Sequence, residues 1–149
     1  MTNQLTKIAS ALALATAAMG FTGAVLAADP IKIGVDGPFT GGSSSMGVSM
    51  RDGVRLAVDE INKAGGVLGR QLQIIERDDE AKNERGVQIA QELINKEKVV
   101  AAVGYINSGV ALASQRFWQE AKIPVMNNVA TASVITHQFD DQPENYIFR

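Results

Sequence analysis

Val99-Val100-Ala101-Ala102-Val103-Gly104-Tyr105-Ile106-Asn107-Ser108-Gly109 is the stretch that decides the fold class. Val99 to Val103 is a continuous apolar run, which predicts a parallel strand covered on both faces. The chain then turns through Gly104 to Asn107. Val110, Leu112, Ala113, Phe117 and Ala121 predict a helix that opens at Ser108. A buried strand feeding directly into a helix is half of a strand–helix–strand unit.

The same alternation extends outward. Upstream, Ile31-Lys32-Ile33-Gly34-Val35 predicts a first strand, ended by the turn residues Asp36-Gly37-Pro38. Gly37 to Gly47 reads as a loop. Met46, Met50, Val54, Ala57, Val58 and Ile61 then fall on one helical face, and Gly65-Gly66 stops that helix. Gln71 to Arg77 predicts a second strand, and residues from about Asn83 to Asn95 a second helix. Downstream, Ile123 to Met126 predicts a fourth strand and Asn145 to Phe148 a fifth. Strands alternating with helices imply an α/β fold with a doubly wound parallel sheet. Ligands of such sheets bind beyond the carboxyl ends of the strands. The loops after Val35, Arg77, Val103 and Met126 are therefore the ones to search.

Bulk properties narrow the class. The 149 residues carry a formal net charge of -2, 20% charged side chains and no Cys. Nothing favours a nucleic acid partner, which would want a basic face. Thr2 to Lys7 is polar with one positive charge, Ile8 to Leu26 is apolar or small, and Val25-Leu26-Ala27 suits a signal peptidase. This is the layout of a secretory signal peptide at residues 1–27, leaving residues 28–149 as the mature, exported part; a transmembrane helix is the alternative, at the lower length limit and rich in Ala, Thr and Gly. The sequence stops at Arg149 with no helix to close the last strand, so a longer protein is expected.

Three loops are candidate sites. Gly104 to Gly109 leads into a helix whose free N–H groups favour a carboxylate or phosphate, with Asn107 and Ser108 beside them. Ser108 equally suits a plain N-cap of its own helix. Asn127-Asn128-Val129-Ala130-Thr131-Ala132-Ser133 offers the Val129 carbonyl and the Thr131 hydroxyl and N–H, which would suit an amino acid head group. Capping of a short helix by Thr131 or Ser133 is the alternative there. The Gly37–Gly47 loop lacks both phosphate-binding glycine patterns and reads as a lip over a cleft. Asp78-Asp79 reads as a turn-forming pair more readily than as a metal or acid–base pair. His137 has no companion for a metal site, and Trp118 is expected to pack. No cofactor is indicated.

The ordered set Ile31-Lys32-Ile33-Gly34, Gly37-Pro38, Gly53-Val54, Asp59-Glu60-Ile61-Asn62, Ala64-Gly65-Gly66, Gly69 and Asp78-Asp79 resembles the start of the type I periplasmic binding proteins of branched-chain amino acid ABC importers. Gly104 through Ser108 to Pro124 and Thr131 continues the resemblance to Arg149. It implies an incomplete N-terminal lobe of a two-lobe binding protein in the periplasm, without catalysis, serving an inner-membrane ABC permease. It also implies roles. Ser108 would bind a ligand carboxylate by hydroxyl and N–H, Thr131 would bind through its N–H and hydroxyl, and the Val129 carbonyl would accept from the ammonium. Ala130 would line the same loop, and Met46 falls near the place of an aromatic residue over the ligand side chain. The alternatives are a sensor of the same fold for an amide, urea or small aromatic carboxylate, and a flavodoxin- or Rossmann-type enzyme.

Overall fold

Strand β1 (Ile31–Gly37) runs along the middle of a parallel sheet because its neighbours pair with it on both edges. A computed structural model describes residues 29–149, and the signal peptide read at residues 1–27 lies outside the described residues. The described chain continues through α1 (Ser44–Lys63), β2 (Leu72–Asp78), α2 (Asn83–Glu92), β3 (Ala101–Gly104), α3 (Ser108–Ala121), β4 (Val125–Asn127), α4 (Val134–His137) and β5 (Ile147–Phe148). The last turn of α2 widens to a π-turn over Leu93–Glu97. The strands lie in the order β2-β1-β3-β4-β5, all parallel. The chain therefore leaves β1 in one direction and β3 in the other, and the loops after these two neighbours part to opposite faces.

One face is closed. A Cβ added at Gly34 would lie 3.0 Å from Leu93 and 3.6 Å from Val99 and Ala102, so the strands approach the α2 side closely. Leu93, Val110, Ala111, Trp118, Val125 and Ile147 are buried there in one cluster. The buried face of α3 differs from the expected Val110, Leu112, Ala113, Phe117 and Ala121. Leu112 and Phe117 are only partly buried and Ala121 is exposed, whereas Ser114, Gln115, Trp118 and Gln119 are buried. The chain after β4 satisfies the Gln119 amide and partly serves that of Gln115. Gln119 Nε2 donates to the Glu144 carbonyl at 2.7 Å, and its Oε1 accepts from Tyr146 N–H at 2.9 Å. Gln115 donates to Gln138.

The other face is open over half its width. Helix α1 lies over β1 and β2 only, with Met50 against Gly37. Among the described residues β3 is therefore not covered on both faces, contrary to its apolar run. Register places Val103, Met126 and Phe148 side by side on this face. Met126 and Phe148 are 47% and 45% exposed. Consistently, the predicted apolar stripe of α1 is half used: Met50, Val54 and Val58 are partly buried, while Met46, Ala57 and Ile61 remain exposed.

Candidate functional site

Two glycines let the carboxyl edge of the sheet close up. At Gly104 a Cβ would meet the Asp36 carbonyl oxygen at 2.1 Å, and at Gly47 it would meet the Pro38 carbonyl oxygen at 2.1 Å. The first contact draws the end of β3 against β1; the second seats the start of α1 on the end of β1. Tyr105 then turns the chain with φ 63°, a left-handed conformation that costs a bulky residue about 1–3 kcal/mol. Its ring offsets this by burial, and its hydroxyl accepts from Trp118 Nε1 at 2.7 Å. This anchored turn aims Asn107 and Ser108 at the edge.

The residue that enters α3 is Asn107, not Ser108. Asn107 is the N-cap, yet its side chain makes no cap bond to the helix. Its Nδ2 instead donates to Ser43 Oγ at 3.4 Å, linking the starts of α3 and α1 across the parting of the two faces. Ser43, the N-cap of α1, also makes no side-chain cap bond. The first-turn N–H groups of both helices thus meet no capping side chain of their own, and the plain-cap reading of Ser108 is not what the chain adopts.

Ser108 Oγ instead accepts from Thr131 N–H at 3.2 Å and from Ala132 N–H at 3.3 Å. A hydroxyl has two lone pairs and one proton. With both lone pairs facing donors, Ser108 has its O–H left to give, and the partner it can serve is an acceptor. Thr131 N–H, expected to be open to a ligand, is turned to Ser108 in this conformation, while the Thr131 side chain is exposed. The loop is further held by Asn128 N–H on the Gly104 carbonyl at 3.0 Å, by Ala130 N–H on the Tyr105 carbonyl at 3.1 Å, and by Arg149 Nη1 on the Thr131 carbonyl at 2.6 Å. Among the described residues none donates to the Val129 carbonyl. Ala130 is buried in the core, so it shapes the loop from beneath instead of lining it with its side chain.

Ser108, Thr131 and Asn107 therefore meet at one edge, with Val129 two residues before Thr131 on the same loop. Met46 stands apart from Ser108. It lines, with Met50, Val54, Ala57, Asn128 and Val129, a groove of about 760 Å³ between α1 and the loop after β4. The groove borders the Ser108–Thr131 contact and does not include it. Ser43 carries no signal of its own in the sequence, while Asp78 belongs to the pair read as turn-forming. Asp78 closes the lip: it accepts from Phe39 N–H at 2.8 Å, Thr40 Oγ1 at 2.6 Å and Glu80 N–H at 3.0 Å. Partial burial raises its pKa, but these hydrogen bonds outweigh that and hold the carboxyl below its ordinary value. This is the turn-forming part expected of an acidic pair at a strand end. Among the described residues no three His, Asp or Glu side chains converge as a metal site would need.

The sequence and fold also match known proteins. Residues 30–149 match the family model described as periplasmic binding protein. A leucine-, isoleucine-, valine-, threonine- and alanine-binding protein of Pseudomonas aeruginosa is 33% identical over 135 residues, which are 91% of this chain and 35% of the relative. The isoleucine complex of the branched-chain amino acid transporter substrate binding protein LivJ from Streptococcus pneumoniae superposes with TM-score 0.71 at 32% identity, over 74% of this chain and 32% of that one. An ABC transporter solute binding protein from Rhodopseudomonas palustris, in complex with 3,4-dihydroxybenzoic acid, gives TM-score 0.67 at 32% identity, over 74% and 30%. The chain spans about a third of the length of these relatives. With 120 consecutive positions (30–149) matched and a doubly wound parallel sheet in place, the chain belongs to the periplasmic binding protein family.

Proposed function

We propose that this chain is the ligand-holding N-terminal lobe, incomplete in itself, of a two-lobe solute-binding protein that delivers a small carboxylate to an inner-membrane ABC permease. Residues 1–27 would direct it to the periplasm and be removed. The observation that carries the reading is the Ser108 hydroxyl. It sits in the first turn of a helix without a side-chain cap, and both its lone pairs are engaged by N–H groups of the next loop. A carboxylate is the partner that an O–H donor and free first-turn N–H groups favour together.

An amino acid is the first choice of ligand. Its carboxylate would take the Ser108 hydroxyl and the first-turn N–H groups, with Thr131 adding its hydroxyl. Its ammonium would donate to the Val129 carbonyl, which is two residues away on the same loop. Asn107, pinned by Ser43, would border the head group, and Met46 would lie toward the ligand side chain. A small aromatic carboxylate is the second reading. It is supported by the relative that holds 3,4-dihydroxybenzoic acid at the same 32% identity as the isoleucine-bound one. Both ligands share the carboxylate and differ in whether they need an ammonium acceptor.

A thermal-shift screen of the full-length protein against aliphatic amino acids and hydroxybenzoates tests the reading. Stabilisation by isoleucine-type ligands supports the first choice, and by benzoates alone the second. Ser108→Ala and Thr131→Ala should each weaken the bound ligand by roughly 1–3 kcal/mol, as loss of hydrogen bonds to a charged group. Full affinity in both variants would remove the site assignment.

A further inference from the structure

Beneath the ligand edge, the ends of β1, β2 and β3 enclose polar side chains that the proposed ligand contacts do not use. Asp36, Asp79 and Ser114 are fully buried. Among the described residues, neither oxygen of Asp36 has a well-aligned hydrogen-bond partner, and Asp79 Oδ2 and Ser114 Oγ have none either. Asp79 Oδ1 accepts from Ala81 N–H at 2.7 Å. The Tyr105 hydroxyl stands beside both Asp36 and Ser114 while accepting from Trp118. Asp79 is tied to the end of β1, its N–H donating to the carbonyl of Gly37 at 3.1 Å next to Asp36, and the two carboxyls repel.

The groups facing this pair from the surrounding elements do not neutralise it. Asp78, from the end of β2, adds a further negative charge. Arg85, from α2, is the cation nearby, but its Nε is spent on the Asp78 carbonyl at 2.6 Å and its Nη1 on Glu80 at 3.2 Å, and half of its side chain is exposed. Tyr105 is itself held neutral, its hydroxyl pushed well above its ordinary range by burial and then by Asp36. Two buried carboxylates whose nearest cation is engaged elsewhere and half exposed do not both stay ionised, because neither water nor a dedicated counter-charge compensates the second charge.

We propose that Asp36 is a neutral carboxylic acid in the folded protein at neutral pH, so that the Asp36–Asp79 pair holds at most one negative charge and the fold takes up a proton as it forms. The pair is a proton-loaded brace for the ligand edge. The Asp36 carbonyl accepts from Tyr105 N–H at 3.0 Å, and Tyr105 makes the left-handed turn that presents Asn107 and Ser108. Burial first, and Asp79 second, push Asp36 well above the ordinary value of 3.8 and outweigh the neighbouring Tyr105 hydroxyl, which lowers it; burial pushes Asp79 up to about 6 against the Ala81 N–H, which lowers it. A carboxyl raised on folding contributes stability that is full below its unfolded value and is lost as pH rises through its folded value. The contribution of Asp79 is therefore lost between 3.8 and about 6, and that of Asp36 continues to fall above that window.

The test compares the thermal midpoint of the full chain with that of Asp36→Asn from about pH 5 to about pH 8, with and without a chelator. Asn keeps the shape of the neutral acid and cannot ionise. The midpoint of the variant should gain on wild type steadily as pH rises and should equal or exceed it at the upper end. In parallel, infrared spectra of wild type at neutral pH should carry the carbonyl band of a protonated carboxylic acid, and Asp36→Asn should lack it. Absence of that band in wild type would overturn the proposal even if the variant failed to fold. So would a variant deficit that is the same at every pH. A chelator that lowers the midpoint of wild type but not of the variant would also overturn it, by assigning the neutralising charge to a metal ion.

Discussion

The two faces of the sheet are built from the same strands but to different standards. On the α2–α3 side, Val125, Ile147 and Trp118 are within 2% of full burial. On the α1 side, the adjacent Met126 and Phe148 are nearly half exposed. Since alternate residues of one strand point to opposite faces, β4 and β5 carry both environments within neighbouring positions. Cohesion therefore resides on one face. The closed face supplies the buried apolar area, and the ligand edge hangs from it through Tyr105, whose ring is packed there and whose backbone turns toward Ser108. The open face contributes α1 and the lip, which reach the edge through the contacts of Gly47, Asp78 and Ser43.

The largest expected effect is on the closed face. Trp118→Ala removes a fully buried ring and the donor to the Tyr105 hydroxyl, and should cost about 3–5 kcal/mol in chemical denaturation. A loss near zero would mean that α3 is not the support of the edge. A sharper test uses two neighbours on β4. Val125→Ala should cost about 1–3 kcal/mol, and Met126→Ala should stay within about 0.5 kcal/mol in this chain. Equal losses would break the contrast between the faces. The smallest effect is at the lip. Asp78 has its pKa lowered by Thr40 and backbone donors, so its contribution is present above its unfolded value of 3.8 and is lost as pH falls through the depressed folded value. Asp78→Asn should therefore lower the midpoint at neutral pH and flatten its acid decline. An unchanged acid limb would show that the lip contributes no pH-dependent stability. This trend is opposite in sign to that of Asp36, so acid should weaken the lip while it strengthens the brace beneath.

Much of the fold was legible because period and punctuation agree. The apolar run at Val99 to Val103, the turn at Asp36-Gly37-Pro38 and the stop at Gly65-Gly66 mark element ends to within a few residues. What stayed hidden depends on partners distant in sequence. The buried face of α3 includes Gln115 and Gln119, which a search for apolar spacing passes over, because their partners are the distant Gln138, Glu144 and Tyr146. An apolar strand likewise does not reveal that only one of its faces carries helices. At the site, Ser108 and Thr131 stood out by type and position. That the Ser108 hydroxyl spends its lone pairs on Thr131 and Ala132, leaving only its proton, required the two loops to be seen side by side.

If the Ser108 edge takes a carboxylate, acids and their amides should part company there. Calorimetric titration of the full-length protein would compare isoleucine with isoleucinamide and 3,4-dihydroxybenzoate with its amide, in wild type and in Ser108→Ala. In wild type the acid of whichever pair binds should be favoured over its amide by at least about tenfold, the equivalent of one hydrogen bond to a charged group. In Ser108→Ala most of that preference should vanish. An amide that binds wild type as tightly as the acid, or a preference that survives the substitution intact, would contradict the assignment of the carboxylate to Ser108.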